Sequence, residues 1–291
     1  MKNIQKITRA MEMVAAARLR RAEQRIAALR PYAEAIGRMT RQAAQAAGAE
    51  ATRLPLLSEH QPQQSVGLLL ITGDRGLAGA FNSQIIRAGM RVAGELDEAG
   101  LQAAWYATGR RGVSSLTFRG RELSGSYTGF ADAPAYADAR SIADDLISAY
   151  VDGRLDRVEI IFNAYISPLT QEVAREILLP LSHATIAGEE PDSIESDEET
   201  RRVGPRALVE YEPDPEEILK QLIPDYVEIS IYRALVESTA GFFGAQMTAM
   251  RNASENAGEI ITDLTLQMNR ARQAEITQEI MEVVAGAEGL S

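Results

Sequence analysis

The longest regular pattern of apolar positions lies near the C-terminal end of the chain, from about Asp225 to Ala287. Apolar or small residues recur there in alternating steps of three and four positions, and no proline follows Pro224. This spacing predicts a narrow helical seam of the coiled-coil type rather than the broad apolar face of a surface helix. A helix of this length would extend on the order of 90 Å and needs a partner along its side. The seam positions are Phe243, Met247, Met250, Ser254, Ala257, Ile261, Leu264, Met268 and Ala271.

A matching stripe at the other end of the chain offers that partner. Residues 1–41 consist mostly of strong helix formers and carry apolar residues in steps of three or four. Pro31 interrupts the stripe, but the pattern resumes in phase at Ala33, so we expect a kink rather than the end of the helix. The pattern alone leaves parallel and antiparallel pairing both open. The stripe consists of Ile4, Ile7, Met11, Ala15, Leu19, Ala22, Ile26, Leu29, Ala33 and Ile36.

Between the two stripes, short apolar runs alternate with segments of helical spacing. We expect a linker near residues 48–64, an acidic loop at 189–199 with seven carboxylates, and a new helix starting at Pro215. Alternating strands and helices predict a layered α/β domain, mostly parallel, with a hairpin at one edge. The predicted strands are 65–72, 102–108, 157–166, 171–179 and 207–211, and the predicted helices are 82–96, 110–118 and 135–150. The predicted division is 1–55 for the N-terminal helix, 56–210 for the inserted α/β domain and 211–291 for the C-terminal helix.

Charge separates the two predicted long helices. Residues 1–53 contain eleven Lys or Arg against four Asp or Glu, a local net charge of +7 in a chain whose net charge is −11. A basic helix beside an acidic one favours pairing, and its exposed basic face suits an acidic protein partner. Nucleic acid is the competing partner, and we disfavour it because the chain is acidic overall and aromatic residues do not interleave the arginines.

Composition excludes several classes of chemistry. The chain has no cysteine, so disulfides, zinc–thiolate sites and thiol catalysis are ruled out. His60 and His183 are its two histidines and lack metal-ligand spacing, so we expect no metal and no cofactor. The longest apolar run, Val66 to Ile71, has the length of a strand, so we expect no direct membrane insertion. The basic N-terminal segment contains glutamates and continues into the stripe, which indicates mature structure rather than a transit peptide.

A glycine-bearing turn follows the first predicted strand, in the sequence ITGDRGLAGAFN from Ile71 to Asn82. Such a turn between strand and helix is a place where a phosphate could bind. The sequence matches neither the GxGxxG pattern nor the P-loop, so nucleotide binding is the less favoured hypothesis. We expect Asp74 and Arg75 to form an exposed charged pair that meets a partner.

A polar cluster at 269–273 breaks the phase of the C-terminal seam. Apolar positions then resume at Ile276, Ile280, Val283 and Ala287. The break indicates that the helix changes partner here, from its mate in the same chain to something outside. The alternative interpretation is an ordinary solvated helix face.

Four segments spread over the chain carry a family resemblance: KNIQKITRAMEMVAAARLRRAE near the start, GDRGLAGAFN, YEPDP at 211–215, and NRARQAEITQEIMEVVAGA near the end. They resemble the gamma subunit of the bacterial-type rotary proton-translocating ATP synthase. The resemblance implies an antiparallel coiled-coil shaft with an inserted Rossmann-like α/β domain. It also implies a non-catalytic rotor that couples proton-driven rotation to ATP synthesis, and the reverse, on the cytoplasmic face of the bacterial cell membrane.

The same resemblance implies partners and contact residues. The partners would be the alpha and beta subunits of the catalytic hexamer, the epsilon subunit and the membrane c-ring. Contacts with the catalytic head would come from Lys6, Arg9, Met11, Arg75, Arg272, Gln273 and Thr277. Contacts with the rotor ring and epsilon would come from Tyr211 and Glu212. Ala78 stands where the family usually has cysteine, and the absence of any cysteine excludes thiol-based regulation. A nucleotide-binding enzyme that uses the inserted domain is the alternative function.

Overall fold

The structure is a computed structural model that describes residues 2–48, 53–168, 170–181 and 214–288. The described residues form five α-helices and five β-strands. The helices are α1 (Lys2–Ala47), α2 (Phe81–Glu98), α3 (Arg110–Phe118), α4 (Tyr136–Val151) and α5 (Pro215–Glu288). The strands are β1 (Ser65–Ile71), β2 (Gln102–Thr108), β3 (Leu123–Tyr127), β4 (Arg157–Tyr165) and β5 (Gln171–Leu179).

The two terminal helices are the longest elements. The α1 helix has 46 residues and continues past Pro31, and α5 has 74 residues and continues past Pro224. Continuation past Pro31 agrees with the in-phase stripe, because one missing N–H removes a single bond of the helical ladder. The start of α5 at Pro215 confirms the predicted helix start, with Glu216 and Glu217 in its first turn.

The α1 and α5 helices pack against each other in antiparallel orientation. Gln5 Nε2 donates to the carbonyl oxygen of Ser254, and Glu12 Oε1 lies 2.9 Å from Arg251 Nε. Further along, the Arg18 guanidinium lies over the Phe243 ring. Residue numbers therefore rise along α1 as they fall along α5, which settles the orientation that the sequence pattern left open.

The buried positions of α1 follow the predicted stripe in its middle and later part. Ala15, Leu19, Ala22 and Ile36 are all buried. The first two stripe positions are not, since Ile4 is 52% and Ile7 58% exposed. The predicted seam is therefore confirmed at Ala15, Leu19, Ala22 and Ile36, and not at the first turns of α1.

The five strands form one sheet in the order β3-β2-β1-β4-β5. The first four strands in this order are parallel, and β5 is antiparallel to β4. This confirms the mostly parallel sheet with a hairpin at one edge. The apolar pattern of the sequence did not predict β3. The predicted strand 207–211 and the acidic loop 189–199 lie outside the described residues.

Helices cover both faces of the sheet, and the terminal helices take part in both layers. The α2 and α3 helices cover one face, while α4 and α5 cover the other. The first half of α5 contributes buried residues such as Leu219 and Leu235 to the α4 side, and Phe242 and Phe243 to the α2 side. Both long helices are therefore part of the core of the α/β domain.

The segment after α1 is packed rather than loose. Leu54 and Leu56 are buried in the same cluster as α4. At the end of this segment, the Asp156 carboxylate accepts the backbone N–H groups of Gln64 and Ser65 at 2.7 and 2.9 Å. His60 Nδ1 lies 3.4 Å from the same carboxylate. Asp156 therefore joins the entry to β1 to the residue before β4.

We expect Leu235→Ala to lower the free energy of unfolding by about 2–5 kcal/mol, the usual cost of truncating a buried leucine. Leu264→Ala, in the same helix, should change it by less than about 0.5 kcal/mol, because Leu264 is 49% exposed and Leu235 only 3%. Urea unfolding of both variants measures the difference. Equal losses would contradict the conclusion that the first half of α5 belongs to the domain core.

We expect the stabilising effect of Asp156 to depend on pH. Burial raises the pKa of Asp156, but hydrogen bonds from Ser65 and Gln64 and the charge of His60 outweigh burial and hold that pKa below its ordinary value of 3.8. A depressed folded-state pKa means that the stabilisation is complete above the unfolded value and declines as pH falls through the folded value. Asp156→Asn should therefore be less stable than the parent at pH 7, with a difference that shrinks below about pH 4. Thermal unfolding across pH measures it, and a constant difference would refute the linkage.

Candidate partner-binding sites

Three of the predicted contact residues lie on the first turns of α1. Lys6 and Arg9 are exposed, and Met11 is half-buried beside the paired part of α5. Lys6 and Arg9 are three positions apart, so their side chains are neighbours on the helix surface. The beginning of α1 therefore presents two adjacent cations to the surroundings, close to the Glu12–Arg251 ion pair.

Three others lie far out on α5. Arg272, Gln273 and Thr277 are all exposed, and the Thr277 hydroxyl donates to the backbone oxygen of Gln273. From Thr262 to Val283, every residue except Asn269 is exposed. We call residues 262–283 the tip.

The tip exposes the apolar stripe that resumes after the phase break. Ile276 is 46%, Ile280 57%, Met281 64% and Val283 73% exposed. Apolar residues that recur on one helix face and remain exposed mark a contact surface more often than isolated exposed leucines do. Arg272 lies about 30 Å beyond Arg251 along the helix, so the tip and the first turns of α1 are separate sites.

Arg75 occupies a third location, in the loop between β1 and α2. Its side chain is 68% exposed, and its Nε lies 3.6 Å from Asp132 Oδ2. Asp132 also pairs with Arg18 of α1, at 3.0 Å. The Arg75 guanidinium therefore lies beside Asp132 while most of its surface remains exposed to solvent.

Asp74 is not the exposed partner of Arg75 that we expected. Its carboxylate accepts three backbone N–H groups, from Arg110, Gly129 and Ala131, at 3.0 to 3.1 Å. Arg110 is the first residue of α3, where unpaired N–H groups favour a negative charge. The predicted pair is wrong for Asp74 because this carboxylate caps a helix and fixes a neighbouring loop.

The last two predicted contact residues, Tyr211 and Glu212, lie outside the described residues, and their role stays a prediction. Within the described ranges, no helix is long and apolar enough to cross a membrane. The same ranges contain no group of three or more acidic or histidine side chains that could hold a metal ion.

The edge of the sheet where a nucleotide would be expected is filled by the chain itself. In open α/β sheets, ligands bind at the carboxyl ends of the strands where the strand order reverses, here between β1 and β4. The α5 helix crosses this point. The backbone N–H of Asn163, near the end of β4, donates to Ser238 Oγ, and a Cβ atom on Gly73 would come within 2.9 Å of the Phe242 ring.

The backbone groups of the glycine turn are also already bonded. The N–H of Gly73 donates to Asn82 Oδ1 at 2.8 Å, and the carbonyl oxygen of Gly73 accepts from Arg111 N. Gly109 has φ of +80°, and a side chain there would collide with the backbone of Thr72. The backbone groups of Gly73 are therefore hydrogen-bonded within the chain, and the loops after β1 and β2 pack closely. The Asp74 carboxylate occupies the position at the α3 N-terminus where an anion could otherwise bind.

We expect Asp74→Ala to lower the free energy of unfolding by about 1.5–3 kcal/mol, the range for hydrogen bonds to a charged group. Asp74→Asn keeps one acceptor oxygen and should lose less. Arg75→Ala, the adjacent exposed residue, should change stability by less than about 0.5 kcal/mol. Urea unfolding distinguishes the three variants. Equal losses for Asp74→Ala and Arg75→Ala would restore the charged-pair interpretation.

Comparisons with known proteins agree along the whole chain. A family model described as ATP synthase matches residues 1–290. The ATP synthase gamma chain of Rubrobacter xylanophilus is 40% identical over 290 residues, which cover 100% of this chain and 94% of the relative. The gamma chain of Streptomyces avermitilis is also 40% identical, over 98% of this chain and 91% of the relative.

Solved structures share the fold. The central stalk and c-ring structure of the Tetrahymena thermophila mitochondrial ATP synthase contains a chain that matches with a TM-score of 0.62 and 24% identity, over 85% of this chain and 99% of that one. A chain in the Euglena gracilis mitochondrial ATP synthase matches with a TM-score of 0.58 and 14% identity, over 94% and 95%. The family model and the bacterial relatives together show that the chain belongs to the family of ATP synthase gamma chains.

Proposed function

We propose that this chain is the central-stalk rotor subunit of a rotary ATP synthase. It couples proton-driven turning of the membrane ring to ATP synthesis at the catalytic head, and couples ATP hydrolysis to the opposite rotation. Its membership of the gamma chain family supports this function. The structural observation that carries it is the single α5 helix, which begins in the core of the α/β domain and ends in the exposed tip.

The continuity of α5 supports a mechanical role. One continuous helix connects the buried residues near Leu219 with the tip. A rotation of the domain is therefore transmitted to the tip along a single helical backbone. The α1 helix doubles this rod over part of its length as an antiparallel coiled coil. Because one asymmetric shaft presents different faces to three catalytic sites, rotation takes each site through different affinities in turn.

Charge and exposure support the assignment of contacts. The tip offers Arg272, Gln273 and Thr277, together with its exposed apolar stripe, to loops of the alpha and beta subunits. Lys6, Arg9 and Met11 face the same head nearer the domain. The outer surface of Arg75 suits an acidic segment of a beta subunit.

The remaining assignments rest on family membership alone, because no contact among the described residues bears on them. Tyr211 and Glu212 contact the epsilon subunit and the c-ring. The chain is peripheral, on the cytoplasmic face of the bacterial cell membrane, and ATP chemistry takes place in the beta subunits.

The alternative, a nucleotide-binding enzyme, has less support. The crevice that would hold a nucleotide contains Phe242 and Ser238 of α5, and the α3 N-terminus is capped by Asp74. A nucleotide would have to displace part of the shaft from the sheet. A nucleic-acid adaptor is disfavoured by the acidic net charge of −11.

We expect Arg272→Ala, alone or with Gln273→Ala, to lower the ATPase rate of the chain reconstituted with alpha and beta subunits by about tenfold or more. This is the effect of losing one hydrogen bond to a charged group. Gln278→Ala is the control, because Gln278 is exposed and is not three, four or seven positions from Arg272, Gln273 or Thr277, so it lies off their face. It should keep the parent rate. ATPase assays on complexes of equal subunit composition measure the effect.

Two results would count against the rotor function. One is a chain that stays alone when mixed with alpha and beta subunits and binds a nucleotide by itself. The other is an equal loss of ATPase activity in the Gln278 and Arg272 variants, which would show that the tip acts without a specific contact face.

A further inference from the structure

The loop between β3 and α4, residues 128–135, contacts both helices of the shaft. On the α1 side, Asp132 Oδ2 accepts a hydrogen bond from Arg18 Nη1 at 3.0 Å. On the α5 side, the carbonyl oxygen of Ala131 lies 2.9 Å from the Thr239 hydroxyl, whose single proton is shared with the carbonyl oxygen of Leu235 at 2.8 Å. Two consecutive residues of one loop therefore bind the two antiparallel helices. We call residues 128–135 the clasp loop.

The clasp loop is itself fixed to the sheet. The Asp74 carboxylate, directly after β1 and its turn, accepts the N–H groups of Gly129 and Ala131. Phe130 packs against the buried cluster on the α4 side of the sheet. A chain of direct contacts therefore runs from the end of β1 through the clasp loop to α1 and α5.

Arg18 is held by two groups from different elements. Its guanidinium donates to Asp132 and also lies 5.5 Å from the centre of the Phe243 ring of α5. The exposed side-chain fractions of Arg18 and Asp132 are 42% and 27%, so water only partly screens their attraction. Arg75 approaches the same carboxylate from the loop after β1. Asp132 is thus shared by two cations, one on the shaft and one on the domain.

Apolar packing alone does not fix the angle of α1 about its axis. Near Arg18, the buried positions of α1 are Ala15, Leu19 and Ala22. Burial itself is favourable but non-directional, and close packing restrains α1 here only through the shapes of these three side chains, two of which are alanines. A charge-assisted hydrogen bond depends on both distance and angle. The Arg18–Asp132 contact is one such directional restraint on α1, and the Tyr165 hydroxyl of β4, which donates to Glu23 Oε1 at 2.6 Å, is a second.

We propose that Asp132 is a positioning residue for torque transfer, which ties α1 to the α/β domain so that the domain and both shaft helices turn as one body. This proposal rests on the rotor function proposed above. The clasp loop lies at the carboxyl ends of the strands, where α5 crosses the sheet next to Thr239. A restraint at this point acts where rotation of the domain has to enter the paired part of the shaft.

The first test uses the full chain by itself. We expect Asp132→Ala and Asp132→Asn to speed amide hydrogen exchange in the turns of α1 around Arg18 by about two- to fivefold, the effect of losing a partly exposed ion pair. Arg18→Gln should give the same change from the other side of the contact. Asp132→Glu keeps the carboxylate and should restore most of the protection.

Asp152→Asn is the matched control. Asp152 pairs with Arg154 at 3.1 Å, and both residues lie in the α/β domain at the end of α4. Removing this ion pair should leave exchange around Arg18 unchanged. If Asp132→Asn also leaves that exchange unchanged, the tie does not exist and the proposal fails.

The second test measures mechanics in the complex with alpha and beta subunits. The chain contains no cysteine, so one cysteine introduced on the exposed surface of the domain, for example at Arg119, can carry a rotation probe. With the catalytic head fixed and stalled, we expect Asp132→Asn to widen the angular fluctuations of the probe. ATP hydrolysis without load should stay at the parent rate. In the complete complex, with the c-ring in sealed vesicles, ATP synthesis driven by a proton gradient should fall.

The two tests separate the two proposals. Parent-like fluctuations and synthesis in Asp132→Asn would overturn the torque role of Asp132 and leave the rotor function standing. If the parent chain does not assemble with alpha and beta subunits, the rotor function fails and takes the torque role with it, while the exchange measurement still decides whether the tie exists. A uniform loss of hydrolysis and synthesis would show a merely structural role and would also overturn the proposal.

Discussion

The structure depends on the apolar contacts of α5, which change along the length of the helix. Its first part is buried against α4 and β4, its middle part packs against α1, and the tip is exposed. The side chains change accordingly, from residues buried on several sides, such as Val227 and Ile231, to a one-sided seam at Met250 and Ala257. Because a helix is stiff along its hydrogen-bonded axis, these contacts fix the direction of α5 relative to the sheet. The other elements pack around this one helix axis.

The sheet has the strand order of a ligand-binding fold, but its crevice holds a part of the same chain. Residues of α5 occupy the carboxyl ends of β1 and β4, and Asp74 supplies the negative charge that the α3 N-terminus favours. A fold thus does not by itself imply a function. In other proteins this edge of the sheet positions a cofactor, and here it positions α5. The polar groups at the edge join the sheet to the shaft helix.

Much of this architecture could be predicted from the sequence, because apolar spacing reports directly on buried faces. The stripes predicted both long helices, and apolar runs predicted β1, β2, β4 and β5. The short edge strand β3, with the sequence LSGSY, has weak strand propensity and was missed. The contact between Arg18 and Asp132 of the clasp loop could not be predicted either. The two residues are 114 positions apart, and single polar residues carry no periodic signal. The exposure of the predicted contact residues on the tip is seen directly, whereas their contact role stays a prediction.

The sharing of one core between both ends of the chain also governs the order of folding. Leu219, Leu222 and Leu235 belong to the buried cluster that covers one face of the sheet, yet they follow every described strand in sequence. During synthesis on the ribosome, the strands emerge while this face still lacks the part of its cover that α5 supplies, and α1 is made long before α5, the helix against which it packs. Long-range contacts of this kind slow folding and leave apolar surface exposed in the meantime. The nascent chain therefore has the greatest need of chaperones, or of early contact with other subunits, in the interval before α5 is complete.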